Sequence, residues 1–539
     1  MNKKHLAGVM AATLAVTAAL TGCGGGQQAN NANAEITKTT SDTYPIETDS
    51  DVTLKYWVSL SGHVSALSQS LNDTPLAQDL IEKTGINVEF VHPASGQEKE
   101  QFNLMLASKD VPDIIEYDWK NYTGGPESAI EKGTIIDLNK VLEAGISPNL
   151  QKLYEEHPDY AKASQTETGK AYVYPFVIGD DILQTYMGPM VRQDLLEKYN
   201  LEVPETIEDW DNMLTTFKEN GIKSPLTLRM DTVKFGDMSP FIGAMGVAGT
   251  FYVEDGVVKF GPYTEEYREF LTLMADWYSR GLLDPNFTDT DTKRLTSVIA
   301  TGEAVAAFGS AGGDFGQWIP ATQAQDPNAR FVPVKYPAAN KGETPKFGQK
   351  NWPNGSYGAA ISGKSENIEL AARFLDYGYS EEGHMTYNFG QEGVSYTMQD
   401  GVPTYTDIIT DDSKNGGMGI GPAMGQYIRA CYNGPFVQDK NYLTQFYTMP
   451  EQLQAVEIWS DTDTLTYKMP NAPMTQEENK EYNDIMSDID SYREEVMYKT
   501  ITGKSSLDDL DTYYEEMKNR GIERAIELQQ IAYDRYMGK

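Results

Sequence analysis

The chain has 539 residues and carries 79 acidic against 44 basic side chains, a formal charge of −35 at pH 7. That sign argues against nucleic acid as a partner, because such binding draws on Lys and Arg to displace counterions; it repels an anionic membrane surface and suits neutral or cationic ligands. With only two cysteines the fold rests on its apolar core rather than on disulfides, and the length suffices for two large lobes.

Lys3 and Lys4 open an apolar run from Leu6 to Leu20 that closes on Gly22-Cys23, the order of charged, apolar and small residues found in a secretory signal. At roughly 15 residues the run falls short of the ~20 that a spanning helix needs, and residues 1–22 are expected to be removed. Leu20-Thr21-Gly22-Cys23 resembles a bacterial lipobox, which implies cleavage before Cys23 and lipid on that cysteine. The alternative is cleavage near Ala19 with Cys23 incidental. The polar stretch that follows has too few apolar side chains to fold. Residues 23–45 therefore read as a flexible tether of about 20 residues, holding the body on the order of 25 Å from the extracellular face of the membrane. No later run has the uninterrupted apolar length to cross it.

Val52 to Val58 is a β-rich run that stops at Ser59-Leu60-Ser61-Gly62 and reads as a buried strand feeding a loop. Leu76, Leu80 and Ile81 mark one face of a helix from Pro75 to Thr84, stopped by Gly85 ahead of a second strand, Ile86 to Val91. A further helix from Glu98 to Ser108 leads into a strand over Asp113 to Tyr117. This alternation predicts an open α/β sheet, whose ligands sit beyond the strand ends, here the loops 57–63 and 117–122. Thr206 with Asp209, Thr475 with Glu478 and Ser506 with Asp509 each place a hydroxyl three residues before a carboxylate and predict helix starts. The last opens a helical C-terminal extension, broken near Gly521 and resumed from Ile522, that is expected to pack on one lobe.

Phe102 to Ile115 with its Val111-Pro112-Asp113-Ile114 turn, Arg192 to Tyr199 followed by Pro204-Glu205-Thr206 and Trp210, and Ile361 to Ser365 running into Ala371 to Tyr377 with Ser380-Glu381-Glu382-Gly383 form an ordered set. Together they resemble the extracellular solute-binding proteins of ABC transporters, family 1, the maltose-binding-protein-like group. Gly390 to Thr397 and Tyr533 to Tyr536 are similar to its lipoprotein branch in Gram-positive bacteria. The resemblance spans Val52 to Tyr536. It implies an α/β, two-lobed periplasmic-binding-protein-like fold (type II), each lobe a mixed sheet flanked by helices. It further implies one lobe from residues 46–174 plus 335–396 and another from 175–334 plus 397–539. A ligand touching both lobes would shift a hinge equilibrium, with a membrane permease as partner and the protein a monomer. Some relatives carry a calcium loop after the Trp210-type helix; Phe217 to Pro225 lacks its oxygen ligands, so that calcium is not expected.

Enzyme signatures are few. His63, His92, His157 and His384 have no metal-ligand spacing. Phe308 to Gly313 lacks the glycine two before Ser310 that a nucleophile elbow needs; it reads as a loop brought close to ligand or to packing. Gly417 to Pro422 reads as a plain loop. Asp289-Thr290-Asp291 and Asp461-Thr462-Asp463 lack the later ligands of a calcium loop. No cofactor, metal or catalytic residue is expected.

Thirty-three tyrosines and seven tryptophans supply flat rings with polar edges, the mixture that suits the C–H faces and hydroxyl edges of sugars. A neutral oligosaccharide is therefore placed ahead of peptides and other polar solutes as ligand. The candidate contacts on the first lobe are Trp57, Ser61, His63, Tyr117, Asp118 and Trp119. Asp180 and Asp181 follow the first crossover, and Trp352 and Tyr357 precede the strand after the return crossover. Phe235 and Trp318 lie where the resemblance implies aromatic residues of the second lobe. Trp119 and Trp318, with polar or flexible flanks, are expected on opposite walls, so that either alanine variant weakens binding and leaves the fold intact. Two rival readings stand: a surface enzyme acting on glycans, since 79 acids supply many carboxylate pairs, and a sensor or adhesin on the same fold.

Overall fold

The computed structural model describes residues 36–47, 52–108, 110–230, 240–415, 417 and 419–538; the signal, Cys23 and Phe235 lie outside the described residues. The first strand, Thr53–Trp57, sends Leu54 and Tyr56 into one core and Trp57 into another, as a period of two requires. The helix Pro75–Thr84 starts on the Thr74 hydroxyl, which accepts the Ala77 N–H, and ends at Gly85 with φ +72°. Glycine is needed there twice over, since a Cβ would also stand 2.6 Å from the Ile46 carbonyl.

Five strands build the first sheet in the order Asn87–Val91, Thr53–Trp57, Ile114–Asp118, Tyr357–Ile361, Tyr174–Pro175. The first three are parallel, and Tyr357–Ile361 is antiparallel to both its neighbours. The Pro-Asp-Ile turn ties this sheet together: the Asp113 carboxylate accepts the Lys55 N–H at 3.0 Å and the Ser365 hydroxyl at 2.5 Å. The second sheet runs Phe331–Pro333, Met187–Arg192, Ala306–Ser310, Leu226–Thr227, with Met187–Arg192 antiparallel to its neighbours. Three chain segments join the sheets side by side. Val177–Ile178 pairs in parallel with Val437–Gln438, and the Ile178 N–H donates to the Pro353 carbonyl at 2.7 Å.

The return to the first sheet comes later than expected. Lys335–Phe347 packs with the second core, where Tyr336 donates to the Met187 carbonyl at 2.9 Å and Phe347 lies against Tyr252, so the crossing falls at Asn351–Ser356. All three capping boxes form. The C-terminal helices Gln476–Ile501, Leu510–Asn519 and Ile522–Met537 bury Ile489, Met497, Met517 and Ile522 in the second core. The extension also touches the first lobe, with the Lys162 ammonium 4.0 Å from the Tyr536 ring centre.

The tether reading fails for its last ten residues. Glu369 and Arg373, four apart on the helix Ile368–Tyr377, form a receptor for the segment 36–47. The Glu369 carboxylate accepts the N–H and hydroxyl of both Thr39 and Thr40. Arg373, fully buried, donates to the carbonyls of Asp42 and Ile146 and lies 4.7 Å from the Tyr44 ring centre. Ile46 is buried in the first core and its N–H reaches the Thr84 carbonyl. Composition missed this because a few well-placed polar contacts and one isoleucine hold the arm. Glu369→Ala is expected to cost about 1 kcal/mol and to strip hydrogen-exchange protection from the Thr39 and Thr40 amides while that of Ile46 persists; unchanged protection at Thr39 would refute the docked arm.

Candidate functional site

Two recesses open where the strand ends of the two sheets face one another. The larger, about 700 Å³, is lined by His63 of the first lobe, by Tyr186 and the Ser310–Gly313 turn of the second, and by Tyr442, Phe446 and Tyr447. The smaller, about 410 Å³, is lined by Asp118, Phe176, Trp352, Tyr357 and Asn433. Cys431 lines the first and Asn433 the second, so the third crossover runs between them.

His63 reaches the larger cleft because Ser61 caps its short helix, Gly62–Ser65, accepting the His63 N–H on its hydroxyl. The imidazole sits edge-on to Phe446 at 6.3 Å, and burial lowers its pKa, so it is neutral at pH 7 with one donor and one acceptor. Opposite it, Gly419 leads directly into the helix Ile420–Tyr427, which corrects the plain-loop reading. Gly421 lets that helix approach, since a Cβ there would stand 2.7 Å from the His63 ring. In the Phe308–Gly313 segment a Cβ on Gly309 would stand 2.3 Å from the Trp318 ring, a packing constraint, while Gly312, where a Cβ would stand 3.1 Å from Phe446, also lines the cleft. Among the described residues lining this cleft there is no Lys or Arg, and Asp412 is the one carboxylate. The Cys431 thiol, pushed up by burial to about 12, stays protonated.

Beneath the smaller recess lies a buried ion pair absent from the expected site. The Arg429 guanidinium, from the third crossover, donates to Glu116 of the strand Ile114–Asp118 at 2.7 Å. The same carboxylate accepts the hydroxyls of Tyr56 at 2.6 Å and Tyr357 at 2.8 Å. Arg429 also reaches the Asn433 carbonyl, and its own N–H donates to the Tyr387 carbonyl. With Glu116 at 1 % and Arg429 at 3 % exposure, this network fastens the crossover to the first sheet and orients the Tyr357 ring.

Of the expected contacts, His63 lines the larger cleft, and Asp118, Trp352 and Tyr357 line the smaller recess. Asp118 there accepts the Ser356 hydroxyl, and Trp352 donates its indole N–H to the Met469 carbonyl. The others are placed elsewhere. Trp119 and Trp318 are both fully buried; Trp119 packs against Phe102 and Tyr122 and donates to the Gly358 carbonyl, and Trp318 packs beside Phe315 in the second core. Neither ring can face a ligand. Trp57 and Tyr117 close around Phe102, Tyr117 stacked on it at 3.9 Å. Ser61 and Asp180 are helix caps, Asp180 also pairing with Lys440. Asp181 lines a cavity beside the C-terminal helix that shares Trp352 and Asn354 with the smaller recess. Polar flanks misled for the tryptophans because a helix or turn start exposes its backbone neighbours while the ring turns inward. Tyr442 and Phe446, four apart on the helix Lys440–Phe446, form an aromatic face that the sequence reading did not single out.

No group of three or more His, Cys, Asp or Glu among the described residues is placed to hold a metal, and no helix among them is long and apolar enough to cross a membrane. Two α/β lobes joined by three adjacent crossovers, with clefts at the facing strand ends, define a two-lobed binding protein of type II. The family model described as bacterial extracellular solute-binding protein matches residues 68–385, and the chain belongs to that family, whose members bind solutes rather than transform them. It is 23% identical to the fructooligosaccharide ABC transporter substrate-binding protein FusA of Streptococcus pneumoniae over 98% of this chain and 97% of that one. It is 24% identical to lipoprotein LipO of Bacillus subtilis over 61% of this chain and 66% of the relative. Among solved structures, an HMO-binding, ABC-transporter-associated solute-binding protein of Bifidobacterium longum infantis superposes with a TM-score of 0.73 at 18% identity, over 90% of this chain and 99% of that one.

Proposed function

We propose that this protein captures a neutral oligosaccharide between its lobes and delivers it to the permease of an ABC transporter, held at the outer face of the membrane by lipid on Cys23 and working as a monomer. The observation that carries the ligand class is the lining of the larger cleft. Aromatic rings from Tyr186, Tyr442, Phe446 and Tyr447 stand beside neutral hydrogen-bonding groups on His63, Ser310 and Gln317, with no Lys or Arg among the described lining residues. Such a surface stacks on sugar faces and meets hydroxyl edges, while a uronate would find no Lys or Arg among the described lining residues. The names of the fructooligosaccharide-binding and HMO-binding relatives support a carbohydrate, and that of LipO supports the anchor.

The test is a thermal-shift panel of neutral and uronate oligosaccharides against the soluble body. A neutral ligand at 100 times its Kd is expected to add about 2.7 kcal/mol of stability, and His63→Ala to abolish the shift at the same concentration. A uronate that stabilises while every neutral member fails would overturn the assignment.

A further inference from the structure

The recess at the crossovers continues beyond the two sheets. A cavity of about 340 Å³ shares Lys120, Ser356 and Asn471 with it, so the two form one trough leading from the crossovers to the C-terminal helices. One wall of the new cavity belongs to the first lobe, with Asn121, Gln165 and Tyr172; the other is the extension, with Asn479, Tyr482 and Asn483 on the helix Gln476–Ile501 and Gln529 on the helix Ile522–Met537. The walls stand close because Gly124 and Gly125 face the helix Gln476–Ile501: a Cβ on either would lie 3.1 Å from Gln476 or 3.2 Å from Asn479.

The chemistry of the lining is unusually uniform. Six of its side chains are amides, counting Asn471, and its one charged side chain, Lys120, is paired with Asp118 at 3.0 Å. An amide offers a donor and an acceptor on one rigid plane without charge, which matches adjacent sugar hydroxyls that both give and accept hydrogen bonds. An ionic ligand would find no free countercharge here, and an alkyl chain would leave the amides unsatisfied. Tyr172, Tyr482 and Pro473 supply the flat apolar floor that sugar C–H faces require. The volume sits at the lower end of small-molecule sites, ~300–1,000 Å³, room for the end of a chain rather than for a whole oligosaccharide.

We propose that this cavity is an auxiliary carbohydrate subsite, holding the distal units of a chain whose other end occupies the crossover recess. The ligand is accordingly an extended neutral oligosaccharide, and the C-terminal helices serve recognition as well as packing. The inference rests on the oligosaccharide reading of the cleft.

Calorimetric titration of the mature protein with ladders of inulin-type fructans, malto-oligosaccharides, manno-oligosaccharides and N-acetyllactosamine oligomers, each from two to eight units, separates the two. In the ladder that binds, affinity is expected to rise about tenfold or more once the chain outgrows the crossover recess, the worth of one or two net hydrogen bonds. Asn479→Ala with Asn483→Ala is expected to erase that increment and leave the short members unaffected. Asn121→Ala on the facing wall is expected to do the same, which guards against a helix defect in the double variant. Long members binding no better than short ones, or an increment that survives in both variants, would overturn the subsite and leave the cleft standing. Failure of every ladder to bind would overturn both.

Discussion

Arg429→Met is expected to destabilise the protein by about 3–5 kcal/mol, the penalty for leaving a buried partner charge alone. The charge is Glu116, whose carboxylate would keep only the hydroxyls of Tyr56 and Tyr357. Because a buried ion pair recovers little more than its own desolvation, the double variant Glu116→Gln with Arg429→Met is expected to be milder than the single one. Urea unfolding followed by the fluorescence of the first lobe reads both. The functional consequence is separable: with the third crossover unfastened from the first sheet, small-angle scattering should show a broader distribution of lobe separations in the double variant than in the wild type. A single variant within 1 kcal/mol of wild type would mean that the network neither stabilises the lobe nor fixes the hinge.

Trp318→Ala is expected to cost about 3–5 kcal/mol, the usual range for emptying a buried aromatic site, and Trp119→Ala a similar amount. This reverses the effect expected of cleft-wall residues, which would weaken binding and spare the fold. Trp318 fills the space over Gly309, where even one added carbon would lie 2.3 Å from its ring, so its removal leaves a void between the strand Ala306–Ser310 and the helix Gly316–Gln325. At temperatures where the variant remains folded, ligand affinity per folded molecule should match wild type. Normal stability with lost affinity would return Trp318 to the cleft.

The α/β order of the first lobe was legible because its strands are short and bounded by punctuating residues: Pro75 opens one helix, Gly85 ends it, and Pro112-Asp113 sets a strand. Capping boxes are local, and all three were found. The site was legible only where geometry follows directly from topology, as for His63 just beyond the first strand and Tyr357 at the start of the antiparallel one. What remained hidden depends on residues far apart in sequence. Glu116 and Arg429 are 313 residues apart, and nothing near either announces the other. The tryptophans illustrate a different limit: in one sequence a ring that floors a cleft and a ring that fills a core have the same neighbours, and only the direction of the side chain tells them apart. The arm over residues 36–47 failed by composition, since four hydrogen bonds to one carboxylate outweigh a general lack of apolar side chains.

The docked arm also decides which half of the molecule is grounded. Under the proposed anchor, 12 residues lie between Cys23 and Ile36, and even fully drawn out that span reaches at most roughly 45 Å. That leash ends on the helix carrying Glu369 and Arg373, hence on the first lobe. Mechanically the first lobe is then the stator, moored to the bilayer, and the second lobe with its helical extension is the rotor. Under the proposed transport role, a ligand drawing the lobes together would swing the unmoored half, and the surface offered to a permease would turn with it.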